Sequence, residues 1–437
     1  MLADGYPLVV DLSRSQGQIL FDSKEGKPYL DFFSYFASNP LGHNHPRMLE
    51  EDFLEKLKRV AVEKPSNSDI YSVEMAQFVA TFHRVAMPDN MKHLFLVSGG
   101  GLAVENALKA AMDWKVRKNM AAGKGEIGTK VIYLKDAFHG RTGYTLTLTN
   151  TFNPDKYKYF ARFDWPRISS PAAIFPLEGE NLEKTKSAEK VALNELEDIL
   201  RGGADEICAF IIEPIQAEGG DRHFRPEFLR AVKDLCEKYD IMLIFDEVQT
   251  GMGMTGEMWA WQRLGVEPDI LSFGKKSQVC GVMAGPRIDE VKDNVFELSS
   301  RINSTWGGNL IDMVRCQRYL EIIEDENLLK NAREMGDYLL DGLKKISEGH
   351  PEVTNARGLG LICAFDMPDT ETRNKLITKV YNKGMIIISC GNRTVRFRPS
   401  LNVDKGSIDK GLAILDKAIC EIAGSKNRTK VFSVPGI

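Results

Sequence analysis

The 437-residue chain balances 57 Lys and Arg against 61 Asp and Glu, a formal net charge of -4, which gives no basis for nucleic-acid or anionic-membrane binding. No apolar run approaches the roughly 18 to 20 residues of a bilayer span. Seven scattered cysteines without paired spacing, and an amino terminus lacking a basic region followed by an apolar core, predict a cytoplasmic protein without a disulfide framework.

Residues 9 to 40 alternate as a small meander does: Val9 to Leu12, Gln18 to Asp22 and Tyr29 to Phe33 read as short strands around a turn at Glu25 to Pro28. His43 and His45 invite a metal reading, but no further Cys or His cluster lies near them, and we assign no metal. The polar break at Lys64 to Asp69 opens the main domain, with Ser68 or Asp69 placed to cap a helix running to about residue 84.

His93 to Val97 is a buried strand that runs into Ser98-Gly99-Gly100-Gly101 and a helix from Leu102 to about Arg117. A glycine turn between a strand and a helix amino terminus lets backbone N–H groups approach an anion, and the helix dipole favours it. Three glycines also suit a tight turn with no ligand, so both readings stand here. Lys130 to Leu134 is a further strand, followed by Phe138-His139-Gly140-Arg141. Phe138 is placed to stack on a planar cofactor or to fill the core, and Arg141 to grip a carboxylate in bidentate fashion.

Residues 150 to 205 read as irregular and then helical from Asn181 to Leu200, an insertion covering the site or a subunit contact. Ile207 to Ile212 is another buried strand, with Glu218 just beyond its end, and Pro226 to Tyr239 is a helix. Two more apolar runs, Ile241 to Phe245 and Ile270 to Phe273, have the character of strands buried on both faces of a parallel sheet. They lead into Asp246 and, past Gly274, Lys275. Side chains beyond the carboxyl ends of such strands face the ligand crevice.

A carboxylate and a lysine placed there suggest pyridoxal phosphate, the lysine bonding the cofactor and the carboxylate keeping the pyridine nitrogen protonated. The bland alternative makes Asp246 a helix cap and Lys275 a solvated amine. A nucleotide hydrolase would need a Gly-x-x-x-x-Gly-Lys-Ser/Thr loop, which the chain lacks.

Strand, helix and strand repeated from 93 to 285 predict an α/β fold with a mostly parallel, doubly wound sheet. After it come helices from Asn309 to about Ile323 and from 327 to 347, strands at Gly358 to Phe365, Met385 to Ser389 and Val395 to Phe397, and a helix from Thr370 to Lys383. These form a smaller α+β unit with the amino-terminal meander. The expected division gives residues 1–63 and 326–437 to the smaller domain and 64–325 to the larger.

Taken together, Ser98-Gly-Gly-Gly101, Phe138-His-Gly-Arg141, Glu213-Pro-Ile-Gln-Ala-Glu218-Gly, Phe245-Asp246-Glu-Val-Gln249-Thr-Gly and Gly274-Lys275 resemble, in order and over nearly the whole chain, the class III pyridoxal-phosphate aminotransferases of fold type I. Further segments, Lys64 to Tyr71, Gly220 to Phe228, Phe273 to Gly285 and Asn303 to Asn309, are similar to the members that move the ε-amino group of L-lysine to 2-oxoglutarate. That resemblance implies L-glutamate and a semialdehyde that cyclises to a piperideine carboxylate as products. Another ω-aminotransferase, for ornithine or 4-aminobutyrate, is the alternative.

The resemblance implies Lys275 as the Schiff-base lysine, with Lys276 its rival, and Asp246 as partner of the pyridine nitrogen. It implies Gln249 near the ring hydroxyl, Phe138 on the ring, Gly100 and Gly101 at the phosphate, and Thr305, with Asn303 nearby, reaching the phosphate from the neighbouring subunit of a homodimer. Arg141 would hold the carboxylate remote from the reacting amine. Arg396 would hold the α-carboxylate of glutamate, with Glu218 neutralising it while lysine is bound. Ser98 and Met252 stand where relatives can carry other residues, which leaves fine substrate preference open.

Overall fold

The computed structural model describes residues 6–63, 69–422 and 432. Seven strands build the large sheet: β1 (His93–Val97), β2 (Lys130–Leu134), β3 (Arg167–Ile168), β4 (Ile207–Ile212), β5 (Met242–Asp246), β6 (Ile270–Phe273) and β7 (Cys280–Ala284). Their order is β1-β7-β6-β5-β4-β2-β3, and only β7 runs against the rest. Because successive strand residues face opposite sides, β5 divides its apolar chains between two cores. Met242 and Ile244 pack with Val104, Leu108, Ala111 and Trp114 of the helix Gly100–Ala121. Leu243 and Phe245 pack on the other face with Leu196, Leu200, Phe228 and Val232. Both faces are thus covered by helices, which is why β4 and β5 tolerate no exposed residue. Truncating a fully buried anchor such as Trp114 would cost roughly 3–5 kcal/mol.

A separate three-stranded sheet joins the two ends of the chain. Ile19–Asp22 pairs antiparallel with Lys27–Asp31, which pairs in parallel with Met385–Ile386. A four-stranded antiparallel sheet follows the order Thr354–Leu359, Ile362–Asp366, Thr394–Phe397, Ile388–Cys390.

Several local expectations are corrected. Val9 to Leu12 forms no strand; only Val10 bridges to Asp22, whose buried carboxylate instead takes the Val9 N–H at 2.8 Å. The helix Val73–Val85 is capped by Ser72, which accepts from the Met75 N–H, because the chain stays irregular past Asp69; Ser68 lies outside the described residues. The helix after β1 starts at Gly100 rather than Leu102, so two glycines occupy its first turn. A helix at Lys405–Ile422 was not anticipated, although Ile408, Leu412, Leu415 and Ile419 bury one face of it. His43 Nε2 donates to Asp31 Oδ2 at 3.0 Å as a buried pair.

Candidate active site

At the carboxyl ends of β5 and β6 lies a cavity of about 220 Å³ lined by Gly100, Gly101, Phe138, His139, Gly140, Glu213, Asp246, Val248, Gln249 and Lys275. Six of the residues singled out in the sequence, Gly100, Gly101, Phe138, Asp246, Gln249 and Lys275, therefore meet in one place. His139, Gly140, Glu213 and Val248 join them without having been assigned a part.

The strand ends explain the meeting. Asp246 is the last residue of β5, and Ser272 of β6 sits opposite it in register. Its Oδ1 accepts from the Val248 N–H at 3.1 Å, and its Oδ2 lies 2.8 Å from His139 Nδ1. Both side chains are buried. His139 Nε2 is buried with no hydrogen-bond partner among the described residues.

Lys275 follows β6 in a tight turn, with φ +52, a left-handed conformation that a lysine adopts only when its surroundings impose it. Its Nζ lies 5.7 Å from the centroid of the Phe36 ring. Burial, and then repulsion from Arg396, lowers its pKa to about 8. The rival Lys276 is buried outside this cavity, its Nζ donating to the Gln249 carbonyl at 3.1 Å.

Opposite them the helix Gly100–Ala121 points its amino terminus at the cavity, with Gly99 at φ +115. A Cβ on Gly100 would stand 3.0 Å from Val248 Cγ1. Gly140, at φ +134, packs so closely that a Cβ there would sit 2.6 Å from Thr145 Oγ1 and 3.0 Å from Gly101 Cα. Only glycine backbones give this approach, and they leave the first-turn N–H groups bare for an anion. Phe138 and Val248 supply apolar wall. Glu213 accepts from the Phe138 N–H at 3.0 Å and the Ala217 N–H at 3.1 Å, which fixes the Phe138 backbone, and burial pushes its carboxyl up to about 7.

Residues 1–419 match the family described as aminotransferase class-III. The chain belongs to the class III aminotransferases. It is 50% identical over 422 residues to an L-lysine-epsilon aminotransferase of Mycobacterium tuberculosis, covering 96% of this chain and 93% of the relative. It is 51% identical over 419 residues to one from Amycolatopsis lactamdurans, covering 95% and 92%. The structure of lysine aminotransferase from M. tuberculosis in the internal aldimine form superposes with a TM-score of 0.94 at 50% identity, covering 97% of both chains.

The cofactor of this class III aminotransferase is pyridoxal phosphate. The cavity fits it on three observations: a buried lysine amine, a carboxylate at the far wall backed by a histidine, and a glycine cradle at a helix amino terminus.

The remaining sequence candidates lie outside the cavity lining. Arg141 adjoins Gly140 and is exposed, with no acidic partner among the described residues. Asn303 and Thr305 are exposed, and Asn303 Nδ2 donates to Asp69 at 3.3 Å. Arg396 is 1% exposed; its Nη2 donates to Glu218 Oε2 at 2.8 Å, while Nε and Nη1 have no acceptor among the described residues. Burial works to raise the Glu218 carboxyl, but Arg396 and Lys156 outweigh it and hold it below the usual range.

Proposed function

We propose that this enzyme is an L-lysine 6-transaminase, transferring the ε-amino group of L-lysine to 2-oxoglutarate. The products are L-glutamate and 2-aminoadipate 6-semialdehyde, which cyclises to a piperideine carboxylate. The observation that carries the reading is the Glu218–Arg396 pair. A fully buried guanidinium with two nitrogens that have no acceptor among the described residues suits a carboxylate, and Glu218 occupies its third. Lysine reacting through its ε-amine brings no carboxylate to that end, so the pair stays closed. A 2-oxo diacid does, and takes the place of Glu218. Hydrogen bonds between charged groups are worth about 1.5–3 kcal/mol, enough for the pair to separate the two substrates.

When bound, pyridoxal phosphate supplies an electron-withdrawing ring that stabilises negative charge at the carbon bearing the transferred amine. The chain's residues do the rest. Lys275 Nζ, lowered to about 8, would take the proton from the substrate ε-carbon and hold it for return. Asp246 would hold the proton on the pyridine nitrogen, with His139 steadying Asp246 through the Nδ1 contact. The N–H groups at Gly100 and Gly101 would hold the phosphate, Phe138 would pack against the ring, and Gln249 would serve the ring hydroxyl. Arg141 takes the α-carboxylate of lysine.

The reading includes a homodimer in which Thr305, with Asn303 near it, serves the neighbouring site. Its support is that both residues are exposed, beside an exposed Trp306. No helix among the described residues is long and apolar enough to cross a membrane. Cytoplasmic placement is supported by Cys208, Cys236, Cys280, Cys316, Cys363 and Cys390, which are held as buried free thiols.

One half-reaction tests the assignment. The yellow enzyme is mixed with L-lysine and no keto acid while its spectrum is followed and the product weighed by mass spectrometry. Bleaching with a cyclised piperideine carboxylate is the expected result. Bleaching by ornithine or 4-aminobutyrate but not by lysine would overturn it.

A further inference from the structure

Glu218 has a second cation that the reading above does not use. Its Oε2 faces Arg396, while its Oε1 takes Lys156 Nζ at 2.5 Å. Lys156 belongs to the irregular stretch after residue 150. It closes a short turn, Pro154–Lys156, in which Asn153 accepts the Asp155 N–H at 3.1 Å; the following Tyr157 donates its hydroxyl to the Thr151 carbonyl at 3.1 Å. The turn lies over the cavity wall, with Lys156 Nζ 5.6 Å from the centroid of the Phe138 ring. The side chains of Lys156 and Glu218 are 15% and 23% exposed, so water screens this contact only in part.

We propose that Lys156 is the alternate counter-ion of Glu218, a specificity-determining positioning residue that holds the Glu218 carboxylate when a diacid substrate displaces it from Arg396. This rests on the Glu218–Arg396 reading.

The argument is one of where charge goes. Before the diacid arrives, one carboxylate bridges two cations. Once a substrate carboxylate takes Arg396, Glu218 must leave the guanidinium, and leaving a mostly buried carboxylate unpaired is costly. Because Lys156 binds the opposite oxygen, Glu218 can let go of Arg396 and keep a partner. Without Lys156 the cost returns, and Glu218 also holds Arg396 more tightly, having no competing cation. Both effects weaken the diacid. Neither acts while lysine is bound, since Glu218 and Arg396 then remain together.

The test uses glutarate, a diacid with neither amine nor ketone, titrated calorimetrically into the cofactor-loaded enzyme and its Lys156→Gln and Lys156→Arg variants. The same proteins are assayed for KM and kcat with lysine and with 2-oxoglutarate. For K156Q we expect glutarate Kd and the 2-oxoglutarate KM to rise about ten-fold, the loss of one charge-assisted hydrogen bond. The lysine KM should rise far less, and K156R should restore the diacid affinity. An unchanged glutarate Kd overturns the proposal. So does an equal loss of lysine and diacid affinity, which would make the turn a general cover. If the unmodified enzyme fails to react with lysine, the lysine reading falls, while the glutarate titration still decides the role of Lys156.

Discussion

His139 Nδ1 stands 2.8 Å from Asp246 Oδ2, both side chains are buried, and the far nitrogen of the ring has no hydrogen-bond partner among the described residues. A histidine held this way donates Nδ1–H to the carboxylate, which fixes the orientation of Asp246 towards the cavity. Asp246→Asn should therefore slow the lysine half-reaction roughly 10²–10³-fold, the scale of losing one preorganised electrostatic contact. His139→Leu should slow it by about ten-fold, because Asp246 keeps its Val248 N–H but loses a charge-assisted partner. Single-turnover kinetics on the two variants check the order. A His139 effect as large as that of Asp246 would give the histidine a part of its own.

Lys275 supplies a pH prediction for the cofactor-free protein. Burial, then Arg396, lowers its pKa from 10.5 to about 8. The folded state therefore binds fewer protons than the unfolded chain between those values, and stability rises with pH across that window. Below about pH 8 the buried ammonium opposes folding. Lys275→Met should make the cofactor-free protein more stable at pH 7 by on the order of 1–3 kcal/mol, with the advantage shrinking towards pH 10. Urea unfolding of both proteins at several pH values measures this. The same variant should have no transamination activity.

How far the sequence could be read depended on the range of the interactions. The strands β4, β5 and β6 stood out because burial on both faces demands near-continuous apolar runs, broken in β6 only by Ser272, and their ends located Asp246, Lys275 and Glu218. His139 was visible as part of a motif, yet its partner is 107 residues away, and nothing local specifies that contact. Glu213 likewise stood in a visible motif, but its contact with the N–H of Phe138, 75 residues off, has no local signal. The helix Lys405–Ile422 is a different kind of miss: Ile408, Leu412, Leu415 and Ile419 carry the helical period in plain view. The supposed strand at Val9 to Leu12 failed for a third reason. Alternation was present, but the Asp22 carboxylate captured the Val9 N–H that a ladder would have used.

Gly140 gives a steric prediction. Alanine there would place its Cβ 2.6 Å from Thr145 Oγ1 and 3.0 Å from Gly101 Cα, at a φ of +134 that L-residues avoid. Gly140→Ala should cost about 2–3 kcal/mol of stability, from strain and overpacking together. It should also push the first turn of the helix Gly100–Ala121 away from the cavity and loosen the phosphate cradle. Thermal melts and the rate of pyridoxal phosphate loss on dialysis report the two effects. Gly26, where a Cβ meets nothing within 4 Å, serves as the control for backbone strain alone.

If the Glu218–Arg396 pair works as the proposed function has it, removing Glu218 should invert a preference rather than abolish activity. With Glu218→Ala, Arg396 keeps its full charge in a pocket where it is 1% exposed. Lysine then leaves a buried guanidinium without its carboxylate, a situation worth about 3–5 kcal/mol in the worst case and less where water enters the gap. A diacid meets no competitor at that guanidinium. The lysine half-reaction should fall by roughly 10²-fold in kcat/KM, while that with L-glutamate, whose α-carboxylate fills Arg396, should hold steady or improve. Glu218→Gln should lie between the two, because an amide can still accept one hydrogen bond from the guanidinium but carries no charge to neutralise it. Equal losses for lysine and glutamate in both variants would mean that Glu218 only supports the fold around Arg396 and does not discriminate between substrates.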